Sequence, residues 1–166
     1  MIKNLRNLSE PVRFITDHNL GKLAKWLRLL GYDTLCHEGK TNKDLWNRAL
    51  KDNRIVLTRK KNLQYYPEKV ETLLIVAEGF EEQLATLFAM LDLKPREEDL
   101  FRFCSICNNT LRQVERKEII DQVPSYIIES QNQFYLCSVC AKIYWRGSHV
   151  EQMRKFLKQR NLTDHP

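Results

Sequence analysis

Between Arg13 and Leu93 the spacing of apolar residues switches repeatedly between strand and helix periods. Arg13-Phe14-Ile15-Thr16-Asp17 is a short strand, after which Leu20, Leu23, Ala24, Leu27 and Leu30 recur at helical spacing until Gly31 ends the helix. Lys22, Lys25 and Arg28 line the opposite side of that helix. Asp33-Thr34-Leu35-Cys36-His37 is a second strand, and a helix follows from about Asn42 to Asp52. Arg54 to Arg59 is a third strand. Past a turn around Tyr65-Tyr66-Pro67, the apolar run Leu73-Leu74-Ile75-Val76-Ala77 predicts a fourth strand covered on both faces, followed by a helix from Glu81 to about Leu93. Strands alternating with helices in this way predict an α/β domain, a parallel sheet with helices on both faces.

The period then breaks. Asp92 to Asp99 is charged, contains Pro95 and has no hydrophobic repeat, so it predicts a boundary between an α/β domain at 13–94 and a smaller unit at 101–166. Residues 1–12 are read as an N-terminal extension. The smaller unit holds two Cys-x-x-Cys pairs with a polar stretch between them, and a terminal helix from Ser148 to about Arg160. Apolar content of 43% in 166 residues is that of a folded chain. No apolar run reaches the roughly 20 residues needed to cross a bilayer, and the N-terminus lacks the apolar stretch of a signal peptide, so a cytoplasmic location and no membrane partner are expected. The net charge of +6 is uneven: 17 basic and 15 acidic residues in 1–100, against 10 and 6 in 101–166. This is permissive for nucleic acid and decides nothing alone. Oligomeric state is not legible.

Cys104-Ser105-Ile106-Cys107 and Cys137-Ser138-Val139-Cys140 carry the sharpest signal. A two-residue gap lets one tight turn aim two thiolates at one ion, and two such turns complete the tetrahedron of a structural Zn²⁺. In a reducing compartment, buried thiols or a redox dithiol are the duller reading. The turn asks for a residue tolerant of left-handed backbone just after its second cysteine. Asn108 suits that position and Ala141 does not, so the second knuckle is expected to be irregular. Cys36 reads as a small buried residue.

In a parallel sheet, ligands collect beyond the carboxyl ends of the strands. Asp17 ends the first strand, Glu38 trails the second, Asp44 opens the second helix and Glu78 trails the fourth strand. Carboxylates converging there would hold Mg²⁺ or Mn²⁺ for phosphodiester cleavage. Each also has a plainer reading: Asp17 or Asn19 as a helix cap, Asp44 as a first-turn acid, Glu38 and Glu78 as solvated charges. His18 and His37 read as ordinary neutral side chains at strand ends.

The segment Phe14 to Thr34, the strand Arg54-Ile55-Val56-Leu57-Thr58-Arg59, and the knuckles with Tyr144-Trp145-Arg146-Gly147-Ser148-His149 together resemble the Mut-seven C-terminal RNase family. The resemblance runs from Arg13 to about Phe156. It implies a PIN-like nuclease fold followed by a zinc ribbon, and a metal-dependent ribonuclease in which Asp17 and Asp44 match family acids and Asp33 matches the aspartate of the Gly-aromatic-Asp turn, in a catalytic or a structural role. It also exposes a departure. Where the family reads Thr-Arg-Asp, this chain has Thr58-Arg59-Lys60, which shifts the charge beside the ion by two units. A unit charge about 4 Å away is worth on the order of 4 kcal/mol at an effective dielectric near 20, enough to weaken metal binding by orders of magnitude. Either Glu78 supplies the missing charge or Lys60 pairs with the acids and holds phosphate. The alternative function is a catalytically inactive RNA-binding or adaptor protein. With RNA as partner, Lys22, Lys25, Arg28, Arg146 and His149 are the expected phosphate contacts, and Trp26, Tyr144 and Trp145 read as stacking or packing residues.

Overall fold

The computed structural model describes residues 11–39, 41–61, 69–160 and 162, with only the backbone described at 149. The turn expected at Tyr65-Tyr66-Pro67 and most of the N-terminal extension lie outside these residues. Strands β1 (Phe14–Thr16), β2 (Thr34–Cys36), β3 (Ile55–Thr58) and β4 (Thr72–Leu74) form a parallel sheet in the order β2-β1-β3-β4. Phe14 lies beside Thr34 on one neighbour and Ile55 on the other.

Alternation along the two inner strands sorts the helices. Phe14, Ile55 and Leu57 point to one face, where α1 (Gly21–Leu29) and α3 (Phe80–Leu91) contribute Leu23, Leu27, Leu84, Leu87 and Phe88. Ile15 and Val56 point to the other, against Leu45 and Ala49 of α2 (Asn42–Lys51). Both faces are covered because every second residue of a strand must find its own apolar layer. The fourth strand differs from its expected form. It is an edge strand that ends at Leu74, so that of the expected run Ile75 and Val76 follow it, Ile75 buried and Val76 63% exposed.

α1 begins after a 3₁₀ turn at His18–Leu20 and stops where expected. Gly31 donates to the Arg28 carbonyl and Tyr32 to that of Leu27, the paired bonds that close a helix through a left-handed residue. Gly31 adopts φ +91°, and a Cβ there would fall 2.5 Å from the carbonyl oxygen of Asp99. Only glycine lets the turn at Glu97–Asp99 close over the helix end.

The C-terminal part builds a three-stranded antiparallel sheet, β5 (Arg112–Val114), β6 (Phe134–Leu136) and β7 (Ile143–Trp145), followed by α6 (Ser148–Gln159). The stretch between the cysteine pairs, expected only to be polar, folds into the short helices α4 (Arg116–Ile119) and α5 (Ser125–Ser130). Ile119 of α4, Ile128 of α5 and Val123 between them close a small core with Val114 and Phe134. The boundary expected at 92–99 is no gap in packing. Leu100, Phe101, Leu111, Tyr144, Val150, Met153 and Leu157 join α1 and α3 in one continuous apolar cluster.

Candidate functional site

Two places gather chemistry. The first is the thiol cage. The Asn108 amide donates to the Cys104 carbonyl at 3.0 Å, and Cys104 donates to Asn109 at 2.8 Å. The second turn repeats the pattern, with Ala141 donating to Cys137 and Cys137 to Lys142, each at 3.0 Å. Asn108 has φ +64° as expected, and Ala141 has φ +54°. The expected irregularity is therefore absent: the knuckle closes normally and forces an alanine into left-handed backbone.

The four sulfurs lie within 4.8 Å of one another. Cys104 to Cys140 and Cys107 to Cys137 are each 3.4 Å, and Cys107 to Cys140 is 3.9 Å. A tetrahedron with metal–sulfur bonds of about 2.3 Å has edges of about 3.8 Å, so the cage fits one ion such as Zn²⁺. Without metal the thiols divide their protons unequally. Burial pushes Cys104 up, but hydrogen bonds from Tyr144 and from the amides of Cys107 and Ile106 outweigh it and hold it down to about 6. Cys140 is pushed up to about 12 by burial, reinforced by its bonds to the other thiols. Metal binding must expel the proton held there. Tyr144, read in the sequence as a stacking or packing residue, is a packing residue. It is buried, its hydroxyl lies 3.1 Å from Cys104 Sγ, and it accepts from the Ser105 amide at 3.1 Å.

The second place is the rim beyond the carboxyl ends of β1 and β3. Asp17 is 3% exposed. Its Oδ1 accepts from the Asn19 amide at 3.0 Å, so the capping reading holds for the 3₁₀ turn. Its Oδ2 accepts from the hydroxyl of the fully buried Thr58 at 2.7 Å. That hydroxyl accepts in turn from the Lys60 amide at 3.1 Å. The Lys60 ammonium donates to Asn42 Oδ1 at 2.8 Å, which lays it across the mouth of α2. Asp44 stands in the first turn of that helix, exposed, and accepts from the capping Thr41 hydroxyl at 2.6 Å. The sequence reading gave Thr58 and Asn42 no role at the site, because a threonine ending a strand and an asparagine opening a helix have no spacing signature.

Residues 12–157 match the model of the Mut7-C RNAse domain. The chain belongs to the Mut7-C RNAse domain family. No match was found among curated proteins. The family's description points to ribonuclease function and to RNA as substrate. The match takes in both the sheet and the cysteine ribbon, the same span that shares one apolar cluster.

The remaining expected residues of the Mut7-C domain fall in four environments. Asp33 does not reach the rim: it precedes β2 at the opposite end of the sheet, where its two oxygens receive Arg54 Nη1 at 2.7 Å and Nη2 at 2.9 Å. Its carboxyl is pushed up by burial but held below the usual carboxylate range overall by hydrogen bonds from Arg54 and Asn108. Arg28, expected at a phosphate, is 6% exposed and donates through Nε and Nη1 to the carbonyls of Thr34, Ser105 and Ile106. Arg146 is half-buried and paired with Glu97 at 2.9 Å, a carboxylate it shares with Arg154. Lys22, Lys25, Arg59 and Glu78 are exposed, and Lys22 Nζ sits 3.9 Å above the Phe80 ring that also stacks on Trp26. The side chain of His149 lies outside the described residues. Among the described residues, no helix is long and apolar enough to cross a membrane.

Proposed function

We propose that the rim is an RNA-cleaving site of PIN-like type, with Asp17 and Asp44 as the carboxylates that would hold a divalent ion. The observation that carries this is the relay from the Lys60 amide through Thr58 to Asp17, which fixes a buried carboxylate at the end of β1. A carboxylate locked by two donors keeps its oxygens aimed without reorganisation. Hard oxygen donors suit Mg²⁺ or Mn²⁺, which takes one or two protein carboxylates and completes its shell with water and phosphate. Among the described residues, only the cysteines bring three or more ligand atoms so close together, so at the rim the ion's shell would be completed by water and phosphate. When bound, such an ion supplies an activated water.

The chain's own residues position the substrate. Lys60, one bond from the mouth of α2, offers its ammonium to a phosphate. Lys22 and Lys25 extend the positive surface along α1, and the Trp26–Phe80 stack gives a base a flat apolar neighbour. The second reading, an RNA-binding protein without cleavage, is favoured by the resemblance, which implies a metal-ligating acid where this chain has Lys60.

Incubating the protein with labelled RNA and Mn²⁺ separates the two. Cleavage should be lost in Asp17→Asn, which keeps the shape and removes the charge. Lys60→Asp should weaken RNA binding if the ammonium holds phosphate, and should raise Mn²⁺ affinity and cleavage if it only blocks the ion. RNA bound but left intact by wild type, and cut by Lys60→Asp, establishes the second reading. Wild-type cleavage unchanged in Asp17→Asn refutes the first.

A further inference from the structure

Arg28 is buried between α1 and the first knuckle, and its hydrogen-bond partners are all neutral carbonyls. Nε donates to the Thr34 carbonyl at 2.6 Å, and Nη1 donates to Ser105 at 3.1 Å and Ile106 at 2.7 Å. Among the described residues, no carboxylate lies within ion-pair distance of it. A guanidinium taken out of water without a counter-charge is strongly disfavoured. Ser105 and Ile106 are the two residues between Cys104 and Cys107. The acidic groups whose fields reach it are Cys36, Cys104, Cys107 and Asp33, and with one Zn²⁺ bound the four thiolates carry a net charge of −2.

The same knuckle also reaches the sheet. Asn108, just past Cys107, accepts from the Thr34 amide at 2.9 Å and donates to Asp33 Oδ1 at 2.6 Å. Thr34 opens β2, the edge strand of the parallel sheet. On its outer side its N–H is taken by Asn108 and its carbonyl by Arg28, so the ribbon satisfies backbone groups that a further strand would otherwise satisfy. β2 in turn flanks β1, which carries Asp17 at its end.

We propose that Arg28 is the counter-charge of the zinc–tetrathiolate centre and, with Asn108, makes metal occupancy a condition for the order of β2. Zinc supply thereby sets the integrity of the sheet that carries the rim. The proposal does not depend on whether the rim cuts RNA. Outer-sphere partners of metal sites commonly contribute about 10- to 100-fold to affinity. The knuckle is rigid enough to pass that effect on, since its loop is closed by its own backbone bonds.

The test uses the full chain, with Co²⁺ as a spectroscopic probe of the cage. Arg28→Met should weaken Co²⁺ binding about 10- to 100-fold, and Arg28→Lys, which keeps the charge but not the two-carbonyl grip, should recover part of the loss. Asn108→Gly keeps the left-handed backbone and deletes only the amide. It should bind Co²⁺ near normally yet speed amide exchange in residues 32–37. In wild type, chelating the metal should accelerate exchange in those residues as well as in the knuckles, a readout that remains if Arg28→Met fails to fold. Wild-type Co²⁺ affinity in a folded Arg28→Met overturns the counter-charge. Unchanged exchange at 32–37 on metal removal overturns the coupling.

Discussion

Ala141 holds a conformation that costs an L-residue with a Cβ about 1–2 kcal/mol, because the side chain crowds the following carbonyl. The two amide bonds that close its knuckle compel it. Ala141→Gly should therefore raise zinc-loaded stability by about 0.5–1 kcal/mol, after the greater unfolded freedom of glycine is subtracted. Denaturant unfolding in the presence of zinc measures it. A loss of stability would mean that the left-handed backbone is not what the knuckle requires. Gly31 is the opposite case, a left-handed position already occupied by the residue it demands. Both positions show how much of a residue's identity a single turn decides.

At the level of elements, β1, β2 and β3 are anchored at the end opposite the rim by the Asp33–Arg54 pair. Arg54 is 9% exposed, and its Nη1 also donates to the Phe14 carbonyl, so it ties the entrances of three strands together. The Asp33 carboxyl is lowered in the folded protein. Its contribution is then complete above the unfolded value of about 3.9 and is lost as pH falls through the lower folded value. Acid unfolding of the wild type should steepen below about pH 4. Asp33→Ala should flatten that limb and cost about 2–3 kcal/mol at neutral pH, because it leaves a buried guanidinium with backbone carbonyls and, as carboxylate, Asp52 at 3.5 Å. Equal acid profiles for the two proteins would show that the pair does not sustain the sheet. The helices divide on the same physical ground. α1, α2 and α3 were legible because their apolar spacing persists over several turns. α4 and α5 were not, because 4 and 6 residues are too few to display a period.

For the whole molecule, the cluster that crosses the expected boundary has a direct consequence. Residues 13–94 produced alone would leave Leu23, Leu27, Leu87 and Phe88 without the apolar neighbours contributed by Phe101, Met153 and Leu157. Fully burying one such side chain is worth about 1.5–3 kcal/mol, and a domain has only about 5–15 kcal/mol in total. The fragment should show no cooperative thermal transition, whereas the full chain should. A fragment that melts cooperatively near the full-length temperature would support the division at 92–99. By itself the sequence determined the alternating α/β order, the four ligands of the cage and Asp17 at a strand end, since each is written in local spacing or local turn chemistry. It could not distinguish Arg28 from Lys22 and Lys25, three cations on one helix of which one is buried against a knuckle 77 residues away. Nor could it separate Asp33 from Asp17, two acids bordering neighbouring strands, one before its strand and one after. Only the parallel pairing of β1 and β2 places them at opposite ends of the sheet. Burial and long-range pairing belong to the packed chain, and they fixed which charges meet water, which are buried and which meet each other.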